Sequence, residues 1–465
     1  MIIINKSKQI MLAIIIACQL MIVLDASIMV TALPEIGRTL HLTTAHLSWV
    51  QNAYILAFGG LMLLGARAGD IWGRRRMFSV GIALFTLASI LVGIAQSAEF
   101  LFITRALQGI AAAIATPSTL ALLSVTFIEP KERTKAIALY SAVAGAGGSI
   151  GLILGGILTD LISWRVGMFL NVPIGIALLF MVPRFLPETE KNTGHFDLMG
   201  AMTSVFGITA LVYGFVQAAA NGWAQLQTVL SLSIGVVLLV AFVFIEARAK
   251  QPITPLRLFA SRRRSGAYLG RFLFVSGNFS VFFFLPQFLQ NVLGFTSFES
   301  GLAFLPFTAV QFGMMYLMPS LIARFGNLKV LVVGLIIAIM GTSWLSQIST
   351  DSQFFPQIFL PLMVMGIGAG TVFLPLTTIG LSGVDSRDSG AASGLINVAH
   401  QTGSSLGIAI LITVFEAARL STVLPSKQDF AHASSVVIVG STAFIAASLV
   451  VVLFCFLPKR GAVKE

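Results

Sequence analysis

The sequence predicts an all-α membrane protein of fourteen transmembrane helices, arranged as two six-helix bundles joined by a two-helix central insert. Three observations lead there. The chain is 57% hydrophobic and 10% charged, with a mean hydropathy of +0.93, whereas a soluble protein carries about 25% charged residues. Apolar runs of spanning length recur near 9–33, 47–66, 77–95, 99–127, 134–159, 165–186, 197–218, 227–247, 266–289, 300–323, 329–348, 355–381, 389–417 and 433–457. Each matches the roughly 20 residues, at about 1.5 Å rise, that cross a bilayer. Third, the 29 Lys and Arg alternate from loop to loop. With the N-terminus inside, outward segments hold only Arg38, Arg165, Arg419 and Lys427, while Arg105 and Arg271 fall within spans. That bias places both termini in the cytoplasm and makes the charge of +11 topological rather than a nucleic-acid signal.

Taken in order, the first run follows Lys6 and Lys8, and Val30-Thr31-Ala32 imitates a signal-peptidase site. The run is too long for a typical h-region and contains Asp25, so it reads as an uncleaved first helix. After the second run comes Asp70-Ile71-Trp72-Gly73-Arg74-Arg75-Arg76, and after the tenth Ala323-Arg324-Phe325-Gly326-Asn327-Leu328-Lys329. The echo of these basic, glycine-containing turns divides the chain into a bundle over 1–190, an insert and cytoplasmic linker over 191–261, and a bundle over 262–465. Paired bundles around a midplane site are a common secondary-transporter plan. Cys18 and Cys455 each lie in an apolar run, which argues against a disulfide framework or thiolate metal site.

Asp25 is the residue around which function is expected. A carboxylate deep in a span costs roughly 2.5 kcal/mol or more unless paired, hydrated or protonated, and such acids usually mark ion or substrate pathways. Arg105 lies about 9 Å in from the outer end of its helix and Asp25 about 12 Å in, so the two can pair. Proton binding at Asp25 would then respond to movement of Arg105 or to entry of a cationic substrate. A brace between helices, with Arg105 on backbone carbonyls, is the alternative. Gln108 shares the face of Arg105 and extends either network. Gly147, Gly151 and Gly155 recur every four residues on one helix face, suited to close helix approach in lipid.

Several stretches, in order, give the chain a family likeness. They are Leu24-Asp25 through Leu33-Pro34, Gly69 through Arg76, Arg105-Ala106-Leu107-Gln108-Gly109, the glycines 147, 151, 155 and 156, Trp164-Arg165 with Asn171-Val172-Pro173-Ile174-Gly175, and Ala391 through Asn397. Together they resemble the fourteen-helix drug:proton antiporters of the major facilitator superfamily, and the likeness covers essentially the whole chain. The resemblance implies the major facilitator fold and a proton-coupled exporter of hydrophobic or cationic drugs across the bacterial inner membrane by alternating access. It implies gating roles for Asp70, Gly73 and Arg74 and for the glycines 147, 151 and 155, with Arg74 to Arg76 setting topology alone as the alternative. The pattern also departs from the family: Leu152 stands where a proline is usual, so the proline that would kink the helix is missing there, and Ala66, Ala68 and Ile71 replace the usual Gly, Leu and Arg.

In the C-terminal half, His400 sits about 18 Å from the cytoplasmic end of its helix, near the midplane. A histidine there can join proton transfer or simply pack as a neutral ring. Glu416 either lines a substrate path, as acids do in related transporters, or pairs with Arg419. Proton coupling is thus assigned to Asp25, Arg105, Glu416 and His400. Substrate binding is assigned to Asp25, Tyr54, Gln108, Asn278, Phe282, Gln287, Asn397 and Gln401. The phenylalanine-rich ninth helix suits aromatic or cationic drugs and suits lipid equally well.

No phosphate-binding G-x-x-x-x-G-K-[ST] motif is present, so the proton gradient is the expected energy source, with no cofactor or metal. An enzyme is not expected, because His400 lacks an accompanying nucleophile or metal cluster. The expected partners are small molecules, protons and lipid, with the chain a monomer. A transporter dedicated to one metabolite is the alternative; it should carry more fixed polar groups.

Overall fold

The computed structural model describes residues 6–189, 197–249, 251–385, 388–419 and 426–456. Within them the chain forms α1 (Lys6–Thr39), α2 (Thr44–Trp72), α3 (Arg74–Gly93), α4 (Ala98–Thr126), α5 (Pro130–Leu161), α6 (Trp164–Phe169), α7 (Asn171–Phe185), α8 (Leu198–Asn221) and α9 (Leu226–Arg248). There follow α10 (Arg262–Asn291), α11 (Ser297–Ala303), α12 (Leu305–Phe325), α13 (Asn327–Leu345), α14 (Phe359–Gly380), α15 (Ser389–Ala418) and α16 (Lys427–Phe456). No strand occurs among the described residues. Helices satisfy every mid-chain backbone group internally, the condition a bilayer imposes. Side chains take over at several starts: Thr43 accepts from the His46 N–H, Ser97 from Phe100 and Asp197 from Gly200.

Thirteen described segments are long and apolar enough to cross a membrane, and α5, 32 residues long, takes the place of the predicted span 134–159. Two of these segments are interrupted: α6 and α7 meet at Leu170, and α11 and α12 meet at Phe304. No interruption occurs at Leu152, where α5 runs straight through. The predicted first helix, containing Asp25, is α1. The paired basic turns share a device: α2 passes to α3 through Gly73 at φ +101°, and α12 to α13 through Gly326 at φ +81°. Both values lie where a side chain is strained, so one glycine reverses the chain with no further loop.

The described chain divides into two compact units, Met1–Ile253 with Pro286–Phe304, and Thr254–Leu285 with Leu305–Glu465. The insert predicted over 191–261 thus falls mostly in unit 1, where α8 lies on α2 with Gly60 facing Val205. Segment 286–304 also belongs to unit 1 because α11 packs on α5. Gly156 faces Phe298 there, Gly301 faces the Leu152 carbonyl, and the Asp160 carboxylate accepts from the backbone N–H groups of Ser297 (3.0 Å) and Phe298 (2.7 Å). The boundary expected at 190/191, Arg387 and the basic residues Lys459, Arg460 and Lys464 lie outside the described residues.

In unit 1, Phe78, Phe85, Phe127, Ile14 and Cys18 form one buried core. The glycine face of α5 lies against α1: a Cβ on Gly151 would meet Ser27 Cβ at 2.6 Å, and one on Gly155 would meet Ile28 Cα at 2.6 Å. In unit 2, α13 packs on α14 with Gly341 against Met365 and Gly368 against Ala338. There α10 packs on α15 with Gly403 against Phe272 and Gly407 against Ser276. Large apolar side chains left exposed, such as Val237, Val240 and Phe244 of α9, are the surface a lipid-immersed helix presents.

Candidate functional site

Unit 1 closes around Asp25. Helix α1 carries the carboxylate, α4 carries Arg105 and Gln108 one turn apart, α3 supplies Ser89, and Asn171 opens α7. All five side chains are fully buried. Arg105 Nη1 donates to Asp25 Oδ2 at 2.8 Å and to Gln108 Oε1 at 2.6 Å, while its Nε donates to the Val50 carbonyl at 3.1 Å. Asp25 Oδ1 accepts from Gln108 Nε2 at 2.6 Å and from Asn171 Nδ2 at 2.9 Å. Ser89 Oγ accepts from both amides, at 2.8 and 3.2 Å, and donates to the Phe85 carbonyl at 2.8 Å. The Tyr54 ring lies 4.5 Å from the Arg105 guanidinium carbon, a cation–π contact that strengthens away from water.

The arrangement is a charge pair held by neutral donors. Removing either partner of a buried pair leaves an uncompensated charge, at a cost of about 3–5 kcal/mol. Arg105 therefore both pairs with the acid and braces a carbonyl, so the two expectations for it coexist in one geometry. Polar capacity also remains: Arg105 Nη2, Asn171 Oδ1 and the Tyr54 hydroxyl are buried with no hydrogen-bond partner.

The remaining expected residues scatter. Asp70 pairs with Arg74 of its own turn, whose backbone N–H donates to Thr189 Oγ1 at 3.1 Å. Glu188 caps α3 by accepting from the N–H groups of Arg75 (2.9 Å) and Arg76 (3.2 Å), and a Cβ on Gly73 would meet it at 2.7 Å. Gly147, Gly151 and Gly155 all face α1, Gly147 against Leu20 and Val23. Glu416 pairs with Arg419 at 3.2 Å. His400 Nδ1 lies 3.3 Å from Arg271 Nη2. Phe282 stacks edge-to-face on Phe307, centroids 5.0 Å apart. Asn278 is buried in unit 2 and Gln287 in unit 1. The Asn397 amide donates to the Ser393 carbonyl at 3.2 Å, and the Gln401 carbonyl accepts from Ser404 Oγ at 2.8 Å.

Ser89, Asn171 and Arg271 are among the residues that had no site role from the sequence. Asn171 carried a signal, a lone amide opening an apolar run. Ser89 carried none, since single serines are ordinary in membrane helices. The described residues hold no group of three or more His, Cys, Asp or Glu able to bind a metal.

With this geometry in hand, comparisons place the chain. A sequence model of the Major Facilitator Superfamily matches residues 15–408. The puromycin resistance protein pur8 of Streptomyces alboniger is 38% identical over 412 residues, covering 87% of this chain and 81% of that protein. The cephamycin export protein CmcT of Amycolatopsis lactamdurans is 37% identical over 417 residues, covering 88% and 86%. The multidrug resistance protein Stp of Mycobacterium tuberculosis is 32% identical over 409 residues, covering 88% and 76%. Among solved structures, a bacterial homolog of the human lysosomal transporter Spinster superposes with a TM-score of 0.71 at 15% identity, covering 97% of each chain. The nucleoside transporter NupG superposes with a TM-score of 0.67 at 12% identity, covering 98% of this chain and all of that one; at such identities the likeness speaks for the fold. From sequence model, relatives and fold together, the chain belongs to the Major Facilitator Superfamily, and it is a multi-pass membrane transporter rather than an enzyme.

Proposed function

We propose that the chain exports drugs, hydrophobic and often cationic, across the bacterial inner membrane in exchange for protons, with Asp25 as the proton-carrying group. The observation that carries this reading is the fully buried Asp25–Arg105 pair at 2.8 Å, held by Gln108 and Asn171. A proton entering from outside neutralises Asp25, frees Arg105 from its partner and releases a substrate cation. Loss of that proton toward the cytoplasm restores the pair as the bundles alternate access. Proton and substrate competing for one carboxylate gives exchange by linkage. The relatives named for puromycin resistance and multidrug resistance support an export direction.

In this scheme the proton gradient supplies the energy without a cofactor, the chain works as a monomer in lipid, and both termini lie in the cytoplasm. Tyr54 and Gln108 contact substrate beside Asp25. Gly73, Asp70 and Arg74 form a cytoplasmic gate, and the α5 glycines hold α1. A second reading, export of one dedicated compound, draws support from the relative named as a cephamycin export protein.

Energised inverted vesicles test the proposal. Adding the cationic dye ethidium releases protons in wild-type vesicles, and Asp25→Asn, at equal expression, abolishes the release. Undiminished ethidium-driven proton flux in Asp25→Asn removes the carboxylate from the mechanism. A wild type that ignores a panel of dyes turns the account toward the dedicated exporter.

A further inference from the structure

Arg105 and Arg271 each lie several residues inside a membrane-length helix, and they differ in one respect. Arg105 in unit 1 faces the Asp25 carboxylate. Arg271, on α10 in unit 2, has no carboxylate at ion-pair distance among the described residues. Its partners are all neutral and long: Nη1 donates to the Phe373 carbonyl and to Thr377 Oγ1, both at 3.3 Å, and Nη2 stands 3.3 Å from His400 Nδ1. Its Nε is buried with no partner. The Phe373 ring lies 4.4 Å from the guanidinium carbon, and the His400 ring stands edge-to-face to Phe279 with centroids 5.1 Å apart.

The burial pattern adds a second observation. Arg271, Phe279, Phe373, Thr377 and His400 are each partly exposed, while their neighbours Phe274, Val275 and Leu376 are buried. The cluster is therefore not sealed within the core, and it presents a whole positive charge flanked by aromatic rings. A guanidinium is a planar fork of donors matched to the two oxygens of a carboxylate, and it remains charged in any protein setting. Inside a membrane span such a charge without a counterion points to a binding role.

We propose that Arg271, with Thr377, His400 and the rings of Phe279 and Phe373, is a subsite for the carboxylate of an aromatic organic acid. The guanidinium takes the oxygens, the hydroxyl and imidazole complete the polar rim, and the two phenylalanines stack on the aromatic body. This subsite lies wholly in unit 2 and is independent of the Asp25 reading.

The test compares 1-naphthoate with its methyl ester, bodies of nearly equal shape that differ in charge, on the purified full-length protein in detergent. Binding is followed by calorimetry. The acid binds the wild type at least about tenfold more tightly than the ester, the discrimination expected of a charge-assisted hydrogen bond. Arg271→Gln brings the two within about twofold by weakening the acid alone, and Arg271→Lys, which keeps a point charge without the fork, retains part of the preference. Gel filtration and thermal unfolding establish that each variant is folded. Should Arg271→Gln fail to fold, Arg271→Lys and Thr377→Val carry the test, each weakening the acid and sparing the ester. The proposal is overturned if the wild type fails to bind the acid, or binds the ester as well as the acid. It is equally overturned if the folded variants keep the wild-type preference.

Discussion

Substituting alanine at Gly151 is the sharpest local test of how α5 positions the Asp25 helix. The added Cβ would lie 2.6 Å from Ser27 Cβ, 3.2 Å from the Leu24 carbonyl oxygen and 3.3 Å from Leu24 Cα. Two of these neighbours are backbone and cannot rotate away, so α1 and α5 must separate. Restoring ordinary carbon contact of about 3.5–4.0 Å requires roughly an ångström of movement, applied to the residues on either side of Asp25. The Asp25–Arg105 bond at 2.8 Å would stretch toward the limit of an ion pair. Overpacking of this kind costs about 1–3 kcal/mol, and an ångström of misplacement at a working site costs about a hundredfold in rate. Gly148 is the internal control: a Cβ there meets nothing nearer than Ser27 Oγ at 3.9 Å. Thermal unfolding in detergent and ethidium transport in vesicles measure both variants. Gly151→Ala lowers the unfolding midpoint and abolishes most transport, while Gly148→Ala leaves both near wild type. If Gly151→Ala matches Gly148→Ala in both assays, the close α1–α5 contact does not position Asp25 and the reasoning fails.

Three further expectations follow from the same geometry. Arg105→Gln leaves Asp25 without its cation and destabilises the protein by about 3–5 kcal/mol. Unfolding measurements of the double variant Asp25→Asn/Arg105→Gln give a smaller loss than the sum of the singles, because the two share one interaction. Gly73→Ala forces a side chain into φ +101° and against Glu188, a strain of about 1–3 kcal/mol that lowers the unfolding midpoint. Among the described residues Glu416 pairs with Arg419, three residues on at the end of its helix, both partly exposed. A contact of that kind contributes at most about 0.5 kcal/mol, so Glu416→Gln keeps ethidium-driven proton flux within about twofold of wild type.

How much of this was legible in the sequence depended on how rare each signal is. Charges in apolar runs stand out, so Asp25 and Arg105 could be placed at matching depth, where helical rise allowed them to pair without deciding against a backbone brace. Gln108 came with Arg105 by helical spacing. The four-residue glycine repeat announced a close helix contact, although the identity of the partner, α1, appears only in the packing. The single-glycine turns at Gly73 and Gly326 were visible as an echo in residue types.

Other features belong to the tertiary structure. Ser89 and Asn171 are 82 residues apart, yet both amides of the site, Asn171 and Gln108, donate to that one serine. Nothing in the apolar run around Ser89 distinguishes it from a packing residue. Arg271 and His400, 129 residues apart, were each visible, but their convergence with Phe373 and Thr377 was not. The breaks at Leu170 and Phe304 fall inside continuous apolar runs, where hydropathy has no means of registering them. The grouping of segment 286–304 with unit 1 depends on Asp160 capping α11, a contact across 137 residues for Ser297.

The central claim is that proton and substrate compete for Asp25, and the most direct measurement counts protons on binding. Purified protein in weakly buffered detergent is mixed with ethidium, and the pH change is read beside the heat of binding. The account predicts that wild type releases protons as the dye binds and that Asp25→Asn releases none. Equal release from both proteins, or dye binding to wild type with no proton released, would contradict it.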